Sequence, residues 1–220
     1  MKPLKEYLRL YLVLETSMLK LPLEDFIGQA VDGGVTAIQL RDKGATANER
    51  LATANKLKRI IADKDVLFIV NDDPDLARAV GAHGVHLGPT DMPPDKVRLM
   101  FPELIIGCSC NDFADTVIIK SAGVHYAGIG PVFLTITKTD ARPVIGVDGM
   151  HKLAEILPVP SVAIGGITEN NVGRMMFSAN AGVAVASALC KAENPQGIAA
   201  KIRASVDKYR PLPELSELQA

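Results

Sequence analysis

The chain has almost no net charge, few cysteines and no long apolar run, and each of these absences excludes a class of protein. Its 24 Lys and Arg residues nearly balance 25 Asp and Glu residues across 220 positions. This balance gives no electrostatic footprint for nucleic acid or for an anionic membrane surface. Any anion that the protein binds must therefore be held by a few placed cations.

The apolar runs and the cysteines exclude two further classes. No apolar stretch approaches the roughly 18 residues that a membrane-spanning helix needs, and charged residues on both sides of the run 10–14 argue against a secretory signal peptide. Cys108 and Cys110 form a C-x-C pair without the second half of a zinc site, and Cys190 stands alone. We therefore expect reduced, buried thiols and a cytoplasmic protein.

Strand-like and helix-like segments alternate through almost the whole chain. Strands this continuously apolar are typical of a parallel sheet covered by helices. Repeated β-then-α units predict either a doubly wound sheet or a closed barrel, and their number and the chain length favour a single-domain (β/α)8 TIM barrel of the α/β class. We expect this barrel over residues 1–212 and a C-terminal tail over 213–220. The predicted strands are Leu8–Glu15, Ala37–Lys43, Leu67–Asp72, Gly84–Gly88, Ile105–Cys110, His125–Pro131, Ser161–Gly166 and Gly182–Leu189. The predicted helices are Leu23–Asp32, Asn48–Ala62, Asp75–Gly81, Pro94–Phe101, Ala114–Ser121, Asp148–Leu157, Asn170–Ala179 and Pro195–Tyr209.

The second predicted strand ends in charged residues, at the end of the barrel where such folds keep their active sites. Side chains alternate along a strand, so Gln39, Arg41 and Lys43 share one face while Leu40 and Asp42 share the other. Two cations aimed at one small volume predict an anion there, and the arginine fork with a compact lysine charge suits a diphosphate. A solvated strand end is the alternative interpretation.

The third and fourth strands each deliver an aspartate to the same side of the rim. Asp72 ends the third strand and Asp91 follows the fourth, so the two carboxylates are expected to face one volume. Hard oxygen ligands beside a cationic cluster indicate Mg2+ bound next to a diphosphate. Helix capping is the alternative for single aspartates, and Asp73 followed by Pro74 has the pattern of a cap.

The connection after the sixth strand, which extends to about Gly146, is longer than usual for a barrel. Thr135, Thr137 and Lys138 bring two hydroxyl groups and a positive charge, a composition suited to phosphate. We therefore expect a lid or a binding loop here, and a flexible surface loop that contains threonines is the alternative interpretation.

The seventh and eighth strands end in small residues. Loops at these two positions commonly form a phosphate cradle in TIM barrels, and Gly165 and Gly166 let backbone N–H groups approach an anion. Together with Ser187 they predict a second anion site, formed mainly by backbone amides and hydroxyl groups, and a tight turn at the glycine pair is the alternative interpretation. Two anion sites around one cavity imply two phosphorylated reactants or one bisphosphate.

The order of these motifs resembles the thiamine-phosphate synthase (thiamine-phosphate pyrophosphorylase) family from the second strand to the eighth. The matching segments are QLRDK (39–43), ND (71–72), HLGPTD (86–91), GCS (107–109), GIGPVFLTITK (128–138), IGGI (164–167) and VASAL (185–189). The resemblance implies a transferase of thiamine biosynthesis that joins hydroxymethylpyrimidine diphosphate to a thiazole phosphate. It implies a dissociative reaction assisted by Mg2+, in which diphosphate leaves before the thiazole nitrogen attacks.

The resemblance also assigns site residues. It implies that the pyrimidine diphosphate is bound by Gln39, Leu40, Arg41, Asp42, Lys43, Asn71, Ser109 and Lys138. Of these, it implies direct catalytic roles for Arg41, Lys43, Ser109 and Lys138. The residues implied for the thiazole phosphate are Thr135, Ile136, Thr137, Gly165, Gly166, Ala186 and Ser187. Mg2+ is expected on Asp72 and Asp91. The chain departs from the family pattern at Pro89, Asn111 and Leu134, where glutamine, histidine and proline are usual.

Other interpretations stay open from the sequence alone. A thiazole tautomerase of the same superfamily would keep the phosphate cradle, and a phosphosugar isomerase would use an acid–base pair such as a cysteine with Asp91. A non-catalytic binder of thiamine precursors is a third option. His86 and His125 are interpreted as packed core residues. We expect small phosphorylated partners, no nucleic acid and no membrane, and the sequence leaves a homo-oligomer open.

Overall fold

The computed structural model describes residues 2–135, 137, 142–175 and 181–209, and in it eight parallel strands close into a barrel in chain order. Closure is made by β8 against β1, where Leu10 pairs with Val183 and Leu12 with Val185. The predicted TIM barrel is therefore confirmed. The strands are β1 Leu10–Leu14, β2 Ala37–Leu40, β3 Leu67–Asn71, β4 Gly84–Leu87, β5 Ile105–Cys110, β6 Tyr126–Ile129, β7 Ser161–Ile164 and β8 Gly182–Val185.

Helices surround the barrel, and local sequence fixes where several of them begin. Thr46 and Glu49 form a capping box at the start of α3, and Asp73 caps α4 by accepting from Leu76 N at 2.9 Å, as its pairing with Pro74 predicts. The helices are α1 Leu4–Tyr7, α2 Leu23–Asp32, α3 Ala47–Ile60, α4 Pro74–Ala79, α5 Pro94–Met100, α6 Phe113–Ser121, α7 Gly146–Ile156, α8 Ser187–Cys190 and α9 Pro195–Tyr209. Within the described ranges, none of them is long and apolar enough to cross a bilayer.

Strand side chains alternate between two apolar layers. Residues such as Leu12 and Phe68 belong to the outer layer between barrel and helices, whereas Tyr11, Val13 and Tyr126 belong to a second cluster inside the barrel. Both faces of each strand are thus covered, which explains the continuous apolar runs. The period of two decides which residues can reach the barrel mouth.

One predicted strand extends too far, and one predicted helix is wrong. The eighth strand ends at Val185, not Leu189, because Ala186 leaves the extended conformation (ψ −93°) and its carbonyl accepts from Cys190 N at 2.9 Å in α8. The predicted helix Asn170–Ala179 is a short 3-10 turn over Val172–Arg174 in its described part. The Asn171 side chain there bonds Thr168 N and Gly166 O, and such bonds compete with helix formation. Residues 176–180 and the predicted tail lie outside the described residues.

Gly107 provides a test of the packing inside the barrel. A Cβ atom there would collide with the Tyr126 ring, whereas a Cβ at Gly28 in α2 meets nothing within 4 Å. We expect Gly107→Ala to lower the free energy of unfolding by about 1–3 kcal/mol. Gly28→Ala is the matched control and should raise it by about 0.5–1 kcal/mol, because alanine favours a helix interior. Urea unfolding measures both, and an unchanged or raised stability in Gly107→Ala would contradict this packing.

Candidate active site

A cavity of about 440 Å³ opens at the carboxyl ends of the strands. Its walls combine polar side chains on one side with glycines and hydroxyl groups on the other. The structure therefore brings together side chains that are far apart in sequence. The predicted site residues that line it are Gln39, Arg41, Lys43, Asn71, Asp72, Asp91, Ser109, Thr135, Thr137, Gly165, Gly166, Ala186 and Ser187. Ile136 and Lys138 lie outside the described residues.

The cations at the end of β2 are each paired with a carboxylate. Arg41 Nη1 lies 3.3 Å from Glu15 Oε2, and Lys43 Nζ lies 3.2 Å from Asp72 Oδ2. Glu15 follows β1, so neighbouring strand ends hold the arginine in place. Both cations line the cavity, and they converge on one volume as the alternation predicts.

Leu40 and Asp42 do not line the cavity with their side chains. Leu40 is buried in the outer apolar layer. Asp42 accepts hydrogen bonds from Thr16 N at 2.6 Å and Thr16 Oγ1 at 2.8 Å, which braces the loop after β1. Both residues stand on the outward face of the β2 segment, since their neighbours Gln39, Arg41 and Lys43 face inward. The side chains of Leu40 and Asp42 therefore face away from the cavity, and the assignment of these residues to the substrate stays a prediction.

Asp72 and Asp91 lie close together at the ends of β3 and β4. Asp72 has a positive φ of 64°, an uncommon conformation that clusters at functional sites. Burial raises the pKa of Asp91, and the neighbouring Asp72 raises it further, while the Gly88 N–H and Lys43 act in the opposite direction. The pair therefore disfavours two full negative charges unless a cation joins it.

Asp91 does not serve as a helix cap. Its Oδ2 accepts from Gly88 N at 2.6 Å inside the loop after β4, while α5 begins at Pro94 with Pro93 before it. The capping alternative therefore fails for this aspartate. In the described part of the chain, no group of three or more His, Cys, Asp or Glu residues could hold a metal. Two carboxylates still fit Mg2+, because this ion usually keeps waters and takes its other ligands from substrate phosphates.

The opposite wall has the features of a phosphate cradle. Gly165 and Gly166 have φ values of 100° and 62°, and a Cβ on either would collide with the segment 131–134. Thr137 Oγ1 donates to Ser187 Oγ at 3.2 Å, which joins the loop after β6 to the start of α8. A short extra helix after β8 is a common part of phosphate sites in TIM barrels.

The long connection between β6 and α7 is anchored at both ends. Asn111 Nδ2 donates to Gly130 O at 2.9 Å and to Pro143 O at 3.0 Å. Arg142 lines the cavity and binds the two aspartates of the α6 capping box, Asp115 at 2.7 Å and Asp112. Neither Arg142 nor this role of Asn111 was predicted, because both depend on contacts across the barrel rim that the sequence does not show.

The cavity floor holds three aromatic side chains that the sequence analysis missed. Tyr11, Tyr126 and His86 line the cavity, so the interpretation of His86 as a packed core residue is wrong. His125 lies outside the cavity-lining set and is half-buried: it accepts from Ile106 N at 2.8 Å, and burial lowers its pKa. A signal for His86 existed in Gly128, which leaves room for its ring.

The cysteines do not belong to the site. Those of the chain are free and buried, Cys108 lies in the outer apolar layer, and burial raises its pKa to about 12. A thiol so placed is a poor acid–base group at neutral pH. This arrangement weighs against the phosphosugar isomerase interpretation.

Comparison with known proteins gives consistent matches along the barrel. A family model described as thiamine monophosphate synthase matches residues 10–189. The thiamine-phosphate synthase of Albidiferax ferrireducens is 40% identical over 202 residues, 91% of this chain and 92% of that protein. The thiamine-phosphate synthase of one Methanococcus maripaludis strain is 39% identical over 183 residues, 83% of this chain and 88% of that protein. The solved thiamine phosphate pyrophosphorylase from Pyrococcus furiosus has a TM-score of 0.86 at 36% identity and covers 94% of this chain and 99% of its own.

Asp72→Asn tests the coupling of the carboxylate pair, since asparagine tolerates positive φ. We expect the pKa of Asp91 to fall towards its ordinary 3.8, because the neighbouring charge is removed. A carboxyl whose pKa is higher in the folded state binds its proton more tightly there, so the free energy of unfolding falls as the pH rises through and above 3.8. This fall should be smaller in the variant. Carboxyl 13C NMR titration measures the pKa directly, and an unchanged value for Asp91 would show that the two groups are not coupled.

Proposed function

Because the chain belongs to the thiamine monophosphate synthase family, we propose that it condenses hydroxymethylpyrimidine diphosphate with a thiazole phosphate to give thiamine phosphate and diphosphate. The observation that supports this proposal is that two different groups of residues, each suited to an anion, line opposite sides of one cavity. One site has the cations Arg41 and Lys43 beside two aspartates, and the other has glycines and hydroxyl groups. A reaction between two phosphorylated molecules needs both sites at once.

The cationic side of the cavity suits the diphosphate. Arg41 offers a planar fork of donors and Lys43 a compact charge, and we assign Lys138 to the same group from its place in the motif. Asp72 and Asp91 would hold Mg2+. Bound there, the ion supplies positive charge to the departing diphosphate. On binding, Lys43 exchanges its partner Asp72 for phosphate oxygens.

The glycine-rich side suits the single phosphate of the thiazole. Backbone approach at Gly165 and Gly166 leaves room for an anion, and Thr137 with Ser187 supplies hydroxyl donors. The site has little formal charge, which matches a monoester better than a diphosphate. The thiazole phosphate is therefore assigned here, together with Thr135, Ile136 and Ala186.

The reaction needs positioning and charge stabilisation more than proton transfer. The C–O bond to diphosphate breaks, the electron pair leaves with the diphosphate, and the pyrimidine ring amine stabilises the methylene cation. The thiazole nitrogen then forms the new C–N bond with its lone pair, so no general base is required. Gln39, Asn71 and Ser109 orient the pyrimidine, and the apolar walls at Val162 and Ile164 help to exclude water that would trap the cation.

The rival functions leave parts of this site without a role. A thiazole tautomerase would use the cradle but has no need for Asp72, Asp91 and Lys43 together, and a simple binder would not need a leaving-group site. We also propose a reducing, cytoplasmic compartment, which the free buried cysteines support.

Asp91→Asn is the sharpest test of this function. The purified protein, mixed with both precursors and Mg2+, should form thiamine phosphate, and chelation of the metal should abolish it. Asp91→Asn should lower turnover roughly 100-fold or more, because charge stabilisation by a metal is worth several kcal/mol. Asp75→Asn is the matched control: Asp75 lies in the first turn of α4, outside the cavity-lining set, and its loss should leave turnover unchanged.

Two outcomes would contradict the proposal. Absence of thiamine phosphate with both precursors and Mg2+ present would refute the proposed reaction. Full activity in Asp91→Asn would refute the metal assignment while leaving the reaction intact.

A further inference from the structure

A chain of hydrogen bonds crosses the floor of the cavity from β2 to β5. Gln39 Nε2 lies 2.8 Å from Tyr11 OH, which lies 2.8 Å from Tyr126 OH. Tyr126 OH in turn lies 3.1 Å from His86 Nδ1, and His86 Nε2 lies 3.2 Å from Ser109 Oγ. We call these five residues the polar chain. Its two ends, Gln39 and Ser109, are residues assigned above to the pyrimidine.

The direction of the hydrogen bonds follows from the orientation of the Gln39 amide together with the two buried hydroxyl groups. Tyr11 and Tyr126 are at most 1% exposed, and each phenol has one proton to donate. Because the Gln39 amide donates to Tyr11 O, the Tyr11 proton must go to Tyr126 O. The Tyr126 proton then goes to Nδ1 of His86, since a buried donor without a partner is costly.

The direction continues through the histidine to the serine. A neutral His86 that accepts at Nδ1 carries its proton on Nε2. The Nε2–H therefore donates to Ser109 Oγ, and the serine proton is left to donate into the cavity. At the other end, Gln39 Oε1 accepts no bond from a described residue. Among the described side-chain nitrogen and oxygen atoms that are buried, only Arg9 Nε has no hydrogen-bond partner. Gln39 Oε1 also has none and is therefore not buried, so it is accessible from the cavity that Gln39 lines.

Two glycines make room for the polar chain. A Cβ at Gly107 would collide with the Tyr126 ring, and a Cβ at Gly128 would lie 3.2 Å from His86 Cε1. The rings of Tyr11 and Tyr126 lie 5.9 Å apart, and those of His86 and Tyr126 lie 5.5 Å apart. The rings are thus confined by packing, which keeps the hydrogen-bond partners fixed.

We propose that Tyr11, Tyr126 and His86 are positioning residues. Their hydrogen bonds fix Gln39 as an acceptor and Ser109 as a donor towards the cavity. Gln39 presents a carbonyl acceptor to the cavity and Ser109 presents a hydroxyl donor. The two characters are coupled: if the Gln39 amide turned over, every bond would reverse, His86 would carry its proton on Nδ1, and Ser109 would become an acceptor.

This coupling selects a class of substrate, and this step rests on the function proposed above. An amino group on the pyrimidine donates to the Gln39 carbonyl, whereas an oxo group at the same ring position would place two acceptors face to face. The polar chain therefore discriminates an aminopyrimidine from its oxo counterpart, because an unpaired buried polar group is penalised more than a lost apolar contact.

The first test measures the tautomer of His86 in the unliganded protein and does not depend on the proposed reaction. Two-dimensional 15N–1H NMR of protein with labelled histidine resolves four histidines, and loss of one signal set in His86→Gln assigns it. We expect the Nε2–H tautomer for His86. The Nδ1–H tautomer would overturn the derived direction.

The second test measures selectivity. Calorimetry gives the Kd of the amino and the oxo hydroxymethylpyrimidine diphosphates, in the presence of Mg2+, for the wild type and Tyr126→Phe. Removing one hydroxyl cuts the polar chain, so the preference for the amino compound should fall at least about tenfold. Tyr7→Phe is the control, since its hydroxyl donates to Asp65 outside the cavity, and it should keep the wild-type preference.

The outcomes separate the two proposals. An unchanged preference in a folded Tyr126→Phe variant refutes the positioning role. If this variant does not fold, Tyr11→Phe provides the same cut one bond earlier, with the same expected loss. If neither diphosphate binds the wild type, the proposed function fails, while the tautomer still decides the direction of the polar chain.

Discussion

Two carboxylates that are held close together determine how the barrel mouth is organised. Asp72 and Asp91 follow adjacent parallel strands, so closure of the barrel brings them to one side of the rim whatever their own repulsion. Burial and the neighbouring Asp72 raise the pKa of Asp91. Two ionised carboxylates at this distance repel each other, and this repulsion is offset only when a cation joins the pair. Lys43 supplies part of that charge at 3.2 Å from Asp72.

Each described Lys or Arg side chain that lines the cavity is therefore paired with a carboxylate before any substrate arrives. Arg41 is paired with Glu15, Lys43 with Asp72, and Arg142 with the aspartates that begin α6. A diphosphate must compete with these carboxylates for the cations, and it does so favourably if it brings a divalent ion for the aspartates. We therefore expect the bound metal to raise the affinity for the anion, and the bound anion to raise the affinity for the metal. Tight binding is then restricted to ligands that carry both.

The sequence predicted those parts of the site that depend on alternation and on strand order. The period of two placed Gln39, Arg41 and Lys43 on one face, and neighbouring strands brought Asp72 to Asp91. The same alternation turns the side chains of Leu40 and Asp42 away from the cavity, although the family motif includes both residues.

Features that depend on contacts between distant parts of the chain could not be predicted from the sequence. The turn at Ala186 starts α8 where a continuous apolar run predicted strand, and side-chain bonds of Asn171 replace a predicted helix. The polar chain on the floor joins β1, β2, β4, β5 and β6, so no local pattern reveals it. Arg142 likewise could not be predicted, because its carboxylate partners lie at the start of α6, about 30 residues earlier in the chain.

A crystal of the protein grown with Mn2+ and diphosphate, measured at the manganese absorption edge, tests the central claim most directly. The account predicts an anomalous peak within bonding distance of Asp72, Asp91 and a diphosphate oxygen, with Lys43 moved from Asp72 to the diphosphate. A peak elsewhere in the cavity, with Lys43 still paired to Asp72, would contradict it.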